Sequence, residues 1–189
     1  MSEQAVSLVT RPATYPAASK WLHWIVGLIV IVMIPVGLVM GDLPEGPTQD
    51  RIFALHESFG ILVLVLMVAR LVNRSRGAPA PDPRLSSTER KLSVSVHHLF
   101  YLLLFLMPII GWVALSAYGA RVNFFGLGEL PALMAKNEPL SDRLFWLHWA
   151  GGLLLAALIL LHVGGALRHA LRKDGVVSRM LPKGWAGSA

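Results

Sequence analysis

The sequence contains no cysteine. This absence excludes disulfides and thiolate-ligated zinc or iron–sulfur centres. Charged residues are also scarce, at 15% of the 189 residues, whereas hydrophobic residues make up 54% and the mean hydropathy is +0.58. A chain with so little polar surface is expected to have membrane lipid, rather than water, as its main solvent and partner.

Acidic residues are outnumbered by basic ones, and the formal net charge is +6. A basic excess of this kind is one mark of nucleic-acid binding. Here, however, the basic residues lie between long apolar runs, where they orient a membrane protein. No soluble basic face remains, and no nucleic-acid partner is expected.

Four apolar runs are long enough to cross a hydrocarbon core of roughly 30 Å, which takes about 20 helical residues. In lipid, such runs satisfy their backbone hydrogen bonds as helices. The first run begins only at Trp21, and no cleaved signal peptide is expected. The sequence predicts one all-α membrane domain over residues 1–189, an integral membrane four-helix bundle with spans at about 21–40, 53–73, 94–116 and 144–170.

The basic residues are distributed unevenly between the two sides of the predicted bundle. Residues 1–20, 70–91 and 168–189 hold 13 of the 17 lysines and arginines. The other side keeps Arg51, Arg121, Lys136 and Arg143. Because cytoplasmic segments of membrane proteins are enriched in basic residues, both termini are predicted to be cytoplasmic.

All seven histidines fall within or at the end of a predicted span: His23, His56, His97, His98, His148, His162 and His169. An ionisable side chain inside the membrane is costly and usually marks a functional site. A helix–helix hydrogen bond accounts for one such residue. Seven of them require a further explanation.

The fourth span carries two histidines with an informative spacing. His148 and His162 are 14 residues apart, which places them within about 40° of one helix face and about 21 Å apart along the axis. One helix thus offers imidazoles at two depths. His56 opens the second span at the outer depth of His148, and His23 opens the first span nearer the inner depth of His162.

Two low-spin b haems require imidazole pairs at two depths of a helical bundle. Because the sequence has no Cys-x-x-Cys-His motif, such haems are held non-covalently. A porphyrin lies against helix backbone, and a glycine stands three or four residues after each proposed ligand: Gly27, Gly60, Gly152 and Gly165. Close helix packing is the alternative use of these glycines. His97 and His98 lack such a glycine. Depth excludes neither as the partner of His162, and the glycine pattern favours His23.

The histidines stand in recognisable motifs. These are KWLHW around His23, LHESFG around His56, PIIG in the third run, and WLHW and LHVGGALRH in the fourth. Over residues 16–182 the chain resembles the bacterial cytochrome b561 family, small four-helix dihaem cytochromes of the cell inner membrane that include superoxide oxidases. The resemblance implies two haem b groups. It also implies that His23 and His162 ligate the iron of the inner haem and that His56 and His148 ligate the iron of the outer haem.

The resemblance also implies an electron path. In the superoxide oxidases of this family the outer haem takes an electron from superoxide, and the inner haem passes it to ubiquinone. Candidate quinone-side residues are Arg84, which corresponds to a basic position of the family, His97 and His169. His169 lies seven residues beyond His162, about 10 Å nearer the cytoplasm, where an imidazole suits a hydrogen bond to a quinone or a proton transfer. The alternative for Arg84 and His169 is a basic anchor and a solvated helix end.

The leading prediction is an oxidoreductase that transfers electrons from superoxide, or from another small donor on the outer side, to ubiquinone. On its outer side Arg121, Lys136 and Arg143 are candidates to attract superoxide, although acidic residues share that surface. An electron-relay subunit of a hydrogenase or dehydrogenase complex is the first alternative, and it requires a partner subunit. A histidine-lined metal transporter is the second, but Glu57 is the only acid near a span interior. The sequence does not decide whether the protein forms a homo-oligomer.

Overall fold

The computed structural model describes residues 14–77, 79–82 and 84–182. This part of the chain folds into four long helices: α1 (Ala17–Val39), α2 (Pro47–Ser75), α3 (Ser87–Tyr118) and α4 (Glu138–Arg172). Short 3₁₀ helices, Met40–Asp42 and Val177–Arg179, follow α1 and α4. Each long helix is long and apolar enough to cross a membrane, and the prediction of an all-α membrane four-helix bundle is confirmed.

The helices extend beyond most of the predicted apolar runs. α4 has 35 residues, about 52 Å of helix against a hydrocarbon core of roughly 30 Å. The helices extend beyond the hydrocarbon core in polar turns, and these turns contain the capping residues. Ser86 and Glu89 form a capping box at the start of α3, and the Asn137 side chain caps the start of α4. At the end of the first run the α-helix stops at Val39 and the chain continues as the 3₁₀ helix Met40–Asp42.

The bundle has two different ends, named here by what they hold. The terminal end holds the start of α1, the end of α4 and the α2–α3 connection, and the loop end holds the α1–α2 and α3–α4 connections. The single-domain prediction and the count of basic residues include residues 1–13 and 183–189, which lie outside the described residues. The even number of helices brings both ends of the described chain to one side of the bundle.

Apolar side chains divide between a narrow core and an outward surface. Helices adjacent in sequence pack along each other, and α1 also contacts α4. The core cluster consists of Val26, Val30, Val63, Met67, Leu104 and Leu155. Many large apolar residues face outward instead, such as Leu160, which is 75% exposed. Exposing such a surface to water costs roughly 25 cal/mol per Å², so this surface suits lipid.

The α3–α4 connection folds back over the loop end. α3 ends at Gly119, whose φ of +101° is a left-handed conformation that glycine adopts readily. Ser58 of α2 is buried, and its hydroxyl lies 3.0 Å from the Asn123 carbonyl and accepts from the Phe125 N–H at 3.0 Å. This serine therefore fixes the connection beside the helical turn that carries His56.

Residues 174–182 form a clasp across the terminal end. Arg179 donates to the Ala80 carbonyl at 2.8 Å and lies 3.8 Å from the Asp82 carboxylate. Asp82 is buried, and it accepts from Arg84 at 2.8 Å. Hydrogen bonds from Arg84 lower the pKa of Asp82 to about 2. The clasp thus ties the end of the described chain to the α2–α3 connection.

Candidate functional site

Four of the predicted site histidines form two facing pairs. The rings of His56 and His148 have centres 6.1 Å apart, and the rings of His23 and His162 have centres 6.0 Å apart. A metal–imidazole bond is about 2 Å long and the ring centre lies about 1 Å beyond the nitrogen, so two imidazoles on opposite sides of one metal have centres about 6 Å apart. Both pairs have this spacing.

The two pairs belong to two layers that all four helices build. In each helix, two layer residues are 14 positions apart, an interval that returns to nearly the same helix face. The loop-end layer consists of Gly37, His56, Gly111 and His148. The terminal-end layer consists of His23, Arg70, His97 and His162. Among the four helices, α4 alone places a histidine in both layers.

Two glycines give the loop-end imidazoles room. A Cβ on Gly37 would stand 2.8 Å from Cε1 of His56, and a Cβ on Gly111 would stand 3.1 Å from Cε1 of His148. Side chains at these positions would displace the rings. Neither glycine was predicted, because each lies against a histidine of another helix and not one turn from a histidine of its own. The 14-residue interval, applied to α1 and α3, identifies them.

The loop-end imidazoles differ in their hydrogen bonds. Nδ1 of His148 lies 3.0 Å from the Met107 carbonyl. A carbonyl only accepts, so Nδ1 carries the proton and Nε2 keeps its lone pair. Nδ1 of His56 is buried and has no hydrogen-bond partner in the described part of the chain. Such an unpaired buried atom is unusual in a protein that binds nothing there.

A cavity of about 190 Å³ lies between the helices at the loop-end layer. Its walls include both loop-end histidines and two of the glycines predicted to face a porphyrin, Gly60 and Gly152. A Cβ on either of these glycines, or on Gly27 or Gly165, would meet no atom within 4 Å. Facing imidazoles, an orphaned ring nitrogen and open glycine flanks fit a planar b-type haem.

The terminal-end layer holds a third imidazole. The ring of His97, one of the quinone-side candidates, is centred 5.3 Å from that of His162, and its Nδ1 lies 2.6 Å from the Ser93 carbonyl. The distance between the His97 and His162 ring centres is shorter than the spacing of about 6 Å expected for two opposite imidazoles on one metal. The geometry therefore favours His23 over His97 as the partner of His162. His98 is exposed and lies outside the layer.

Arg70 completes the terminal-end layer, although from the sequence it was only one of the basic residues of segment 70–91. Its guanidinium nitrogen lies 3.1 Å from Nδ1 of His23, and its guanidinium carbon lies 5.5 Å from the centre of the Tyr101 ring. Among the described residues no carboxylate comes within 4 Å of it. The 14-residue interval counted from His56 identifies this arginine.

Two quinone-side candidates, Arg84 and His169, meet the clasp at the terminal end. Nδ1 of His169 lies 2.6 Å from the Asp174 carboxylate. Arg84 reaches the next residue of the clasp, with a guanidinium nitrogen 3.3 Å from where a Cβ on Gly175 would stand. Partial burial alone would raise the pKa of Asp174, but hydrogen bonds from His169 and the Val176 N–H lower it.

The basic residues predicted to attract an anion at the loop end are mostly neutralised. Two of the three pair with acids: Arg121 with Glu129 at 3.4 Å and Lys136 with Glu138 at 2.7 Å. In the part of the chain described here, Arg143 has no carboxylate partner, and neither has Arg51. The three predicted residues therefore do not form one uncompensated positive cluster.

A four-helix membrane bundle with facing imidazole pairs at two depths defines a class, the membrane-bound b-type cytochromes, which transfer electrons. Comparison with known families agrees with this class. The family model described as prokaryotic cytochrome b561 matches residues 14–183. The chain belongs to the prokaryotic cytochrome b561 family, and the resemblance seen in its motifs is confirmed.

Curated relatives are similar over nearly their whole length. Cytochrome b561 homolog 2 of Escherichia coli (strain K12) is 32% identical over 186 residues, which cover 94% of this chain and 96% of the relative. Cytochrome b561 homolog 1 of that organism is 30% identical over 171 residues, 86% and 94% of the two chains. Probable superoxide oxidase CybB of Yersinia pestis is 33% identical over 171 residues, 89% and 96% of the two chains. Family membership makes b-type haem the cofactor and membrane electron transfer the function of this chain.

Proposed function

We propose that this protein is a dihaem cytochrome of the bacterial inner membrane that takes single electrons from superoxide at its loop end and delivers them to ubiquinone at its terminal end. This proposal rests on the two histidine pairs, which lie at two depths of the bundle and each include one histidine of α4. The superoxide step is supported by 33% identity to a relative named for that activity. The terminal end is taken as cytoplasmic because its segments hold 13 of the 17 basic residues.

The histidine pairs are proposed to hold two irons. His56 and His148 ligate one, and His23 and His162 ligate the other. Haem b, when bound, supplies a centre that accepts and releases one electron at a time. The two histidines of each pair would hold the haem from its two sides, and the haem so held would supply one-electron transfer.

The terminal end is proposed to supply protons as well as electrons, because a quinone needs two of each to become a quinol. Asp174 accepts the Nδ1 proton of His169, which leaves Nε2 to exchange a proton with a quinone oxygen. Arg84 offers guanidinium donors on a half-exposed side chain that Asp82 holds in place through two nitrogens. These side chains together bind the quinone oxygen and deliver the proton.

At the loop end, Arg51 and Arg143 are the groups proposed to attract superoxide. Neither has a carboxylate partner among the described residues. Arg51 also lines a small hollow that includes Ser58. A local positive field raises the encounter rate of an anion. Arg121 and Lys136 are expected to contribute less, because acids neutralise them.

Haem counts and reduced-minus-oxidised spectra test the ligand assignment. His148→Ala is expected to lose the loop-end haem and His162→Ala the terminal-end haem, while each retains the other one. His98→Ala is the matched control, because it removes an exposed histidine of α3. Retention of both haems in either ligand variant would contradict the pairing. Loss of the terminal-end haem in His97→Ala, but not in His23→Ala, would make His97 the partner.

Superoxide and ubiquinone test the substrate assignment on protein that carries both haems. We expect superoxide to produce the reduced haem spectrum, superoxide dismutase to prevent it, and added ubiquinone to restore the oxidised spectrum while quinol forms. Absence of haem reduction by superoxide would remove this donor and leave the cytochrome assignment in place. A copurifying partner protein that reduces the haems would indicate an electron-relay subunit instead.

A further inference from the structure

The terminal-end layer contains a fixed positive charge, whereas the loop-end layer consists of two histidines and two glycines. A guanidinium at membrane depth is costly. Arg70 has no carboxylate within 4 Å among the described residues to offset that cost. It lies against His23 and the Tyr101 ring instead. Its charge therefore lies beside the Nδ1 edge of His23, in the layer that also holds His162.

The contact between Arg70 and His23 indicates which kind of group the guanidinium binds. A guanidinium only donates, so Nδ1 of His23 is the acceptor in this contact. An imidazole that bonds to iron through Nε2 keeps its proton on Nδ1. Arg70 then faces a donor, and it requires an anion at the same depth. The propionate carboxylates of a haem are anions of the kind that arginine binds well.

We infer that Arg70 binds the terminal-end haem through a carboxylate and makes that haem easier to reduce than the loop-end haem. This inference rests on the His23–His162 pairing proposed above. Reduction adds one electron, and a nearby fixed positive charge stabilises the more negative state, most strongly in apolar surroundings. An electron then passes spontaneously from the loop end to the terminal end. Arg70 gives the flow its direction.

Potentiometric titration of the haem-loaded, full-length protein tests this inference. The reduction step that is absent from His162→Ala belongs to the terminal-end haem. Arg70→Gln is expected to move that step to lower potential, and Arg70→Lys, which keeps the charge but loses the planar fork of donors, is expected to move it less. Arg74→Gln is the matched control. It removes a charge one turn nearer the terminal end, over the same Tyr101 ring at 5.6 Å but outside the layer, and a smaller shift is expected.

Haem content decides the case in which a variant loads poorly. In one outcome Arg70→Gln loads no terminal-end haem. If Arg70→Lys then retains that haem at a near wild-type potential, the inference is supported, because the charge alone restores the site. An unchanged potential in Arg70→Gln overturns it, as do equal effects of Arg70→Gln and Arg70→Lys or an equal shift in Arg74→Gln. A wild-type protein with no bis-histidine haem would refute the proposed function itself, and that result is visible in the spectrum before any titration.

Discussion

Replacement of Gly37 by alanine tests the loop-end layer most directly. The new methyl group would stand 2.8 Å from Cε1 of His56, whereas an ordinary carbon–carbon contact is about 3.5–4.0 Å. The ring must therefore move by roughly 0.7 Å or more, away from the position in which its centre lies 6.1 Å from that of His148. Overpacking of this kind costs about 1–3 kcal/mol, which is about 5- to 150-fold in Kd.

Two further alanine variants provide a graded comparison. Gly111→Ala places a methyl group 3.1 Å from the ring of His148, a milder contact than the one at Gly37. Gly164→Ala is the control, because a Cβ at that position of α4 meets nothing within 4 Å. The expected order of loss in haem affinity is Gly37→Ala, then Gly111→Ala, with Gly164→Ala near wild type.

Haem titration measures these affinities. Each substitution is made in a His162→Ala background, so that only the loop-end site remains, and binding of added haem is followed by the Soret absorbance. A wild-type Kd for Gly37→Ala would refute the reasoning, because the imidazole would then not depend on the bare backbone opposite it. An equal loss in Gly164→Ala would also refute it, since the effect would then come from helix packing in general.

Three other predictions concern the ends of the bundle. Asp82→Asn is expected to lower the free energy of unfolding by about 2 kcal/mol, because it removes a charge-assisted acceptor in a buried position. Since Arg84 lowers the pKa of Asp82 to about 2, this difference should be full above about pH 4 and vanish as the pH falls toward 2, as followed by acid unfolding in detergent. His169→Gln should slow quinone reduction without loss of haem, in contrast to His162→Ala, and a normal rate would exclude it as the proton donor. Ser58→Ala should increase hydrogen exchange at the Phe125 amide, and unchanged protection would show that the connection does not depend on this serine.

The apolar runs and the depth of each histidine were predictable because both are properties of single helices. Hydropathy gives the spans, and a rise of about 1.5 Å per residue converts sequence distance to depth. The helix ends were less predictable, since the polar turns beyond the hydrocarbon resemble loops in composition. The caps at Ser86 and Asn137 mark two of these ends and carry a sequence signature that a hydropathy window does not detect.

The missed site residues lie opposite histidines of other helices. Gly37 and Gly111 are far in sequence from the rings they accommodate, and Arg70 reaches a histidine of α1. Such contacts depend on how the helices are rotated against one another, which the pattern of a single helix does not report. Pairing of Arg121 and Lys136 with neighbouring acids was hidden for a similar reason, because loop conformation decides which charges meet.

The 14-residue interval shared by all four helices has a consequence for the gene. One residue inserted between His148 and His162 would turn these two histidines by about 100° against each other around α4 and lengthen their separation by about 1.5 Å. Codon insertions or deletions between the two levels should therefore be rejected by selection in every helix. The connections between the helices carry no such constraint on length. Family members are expected to vary in loop length while holding the distance between the levels constant.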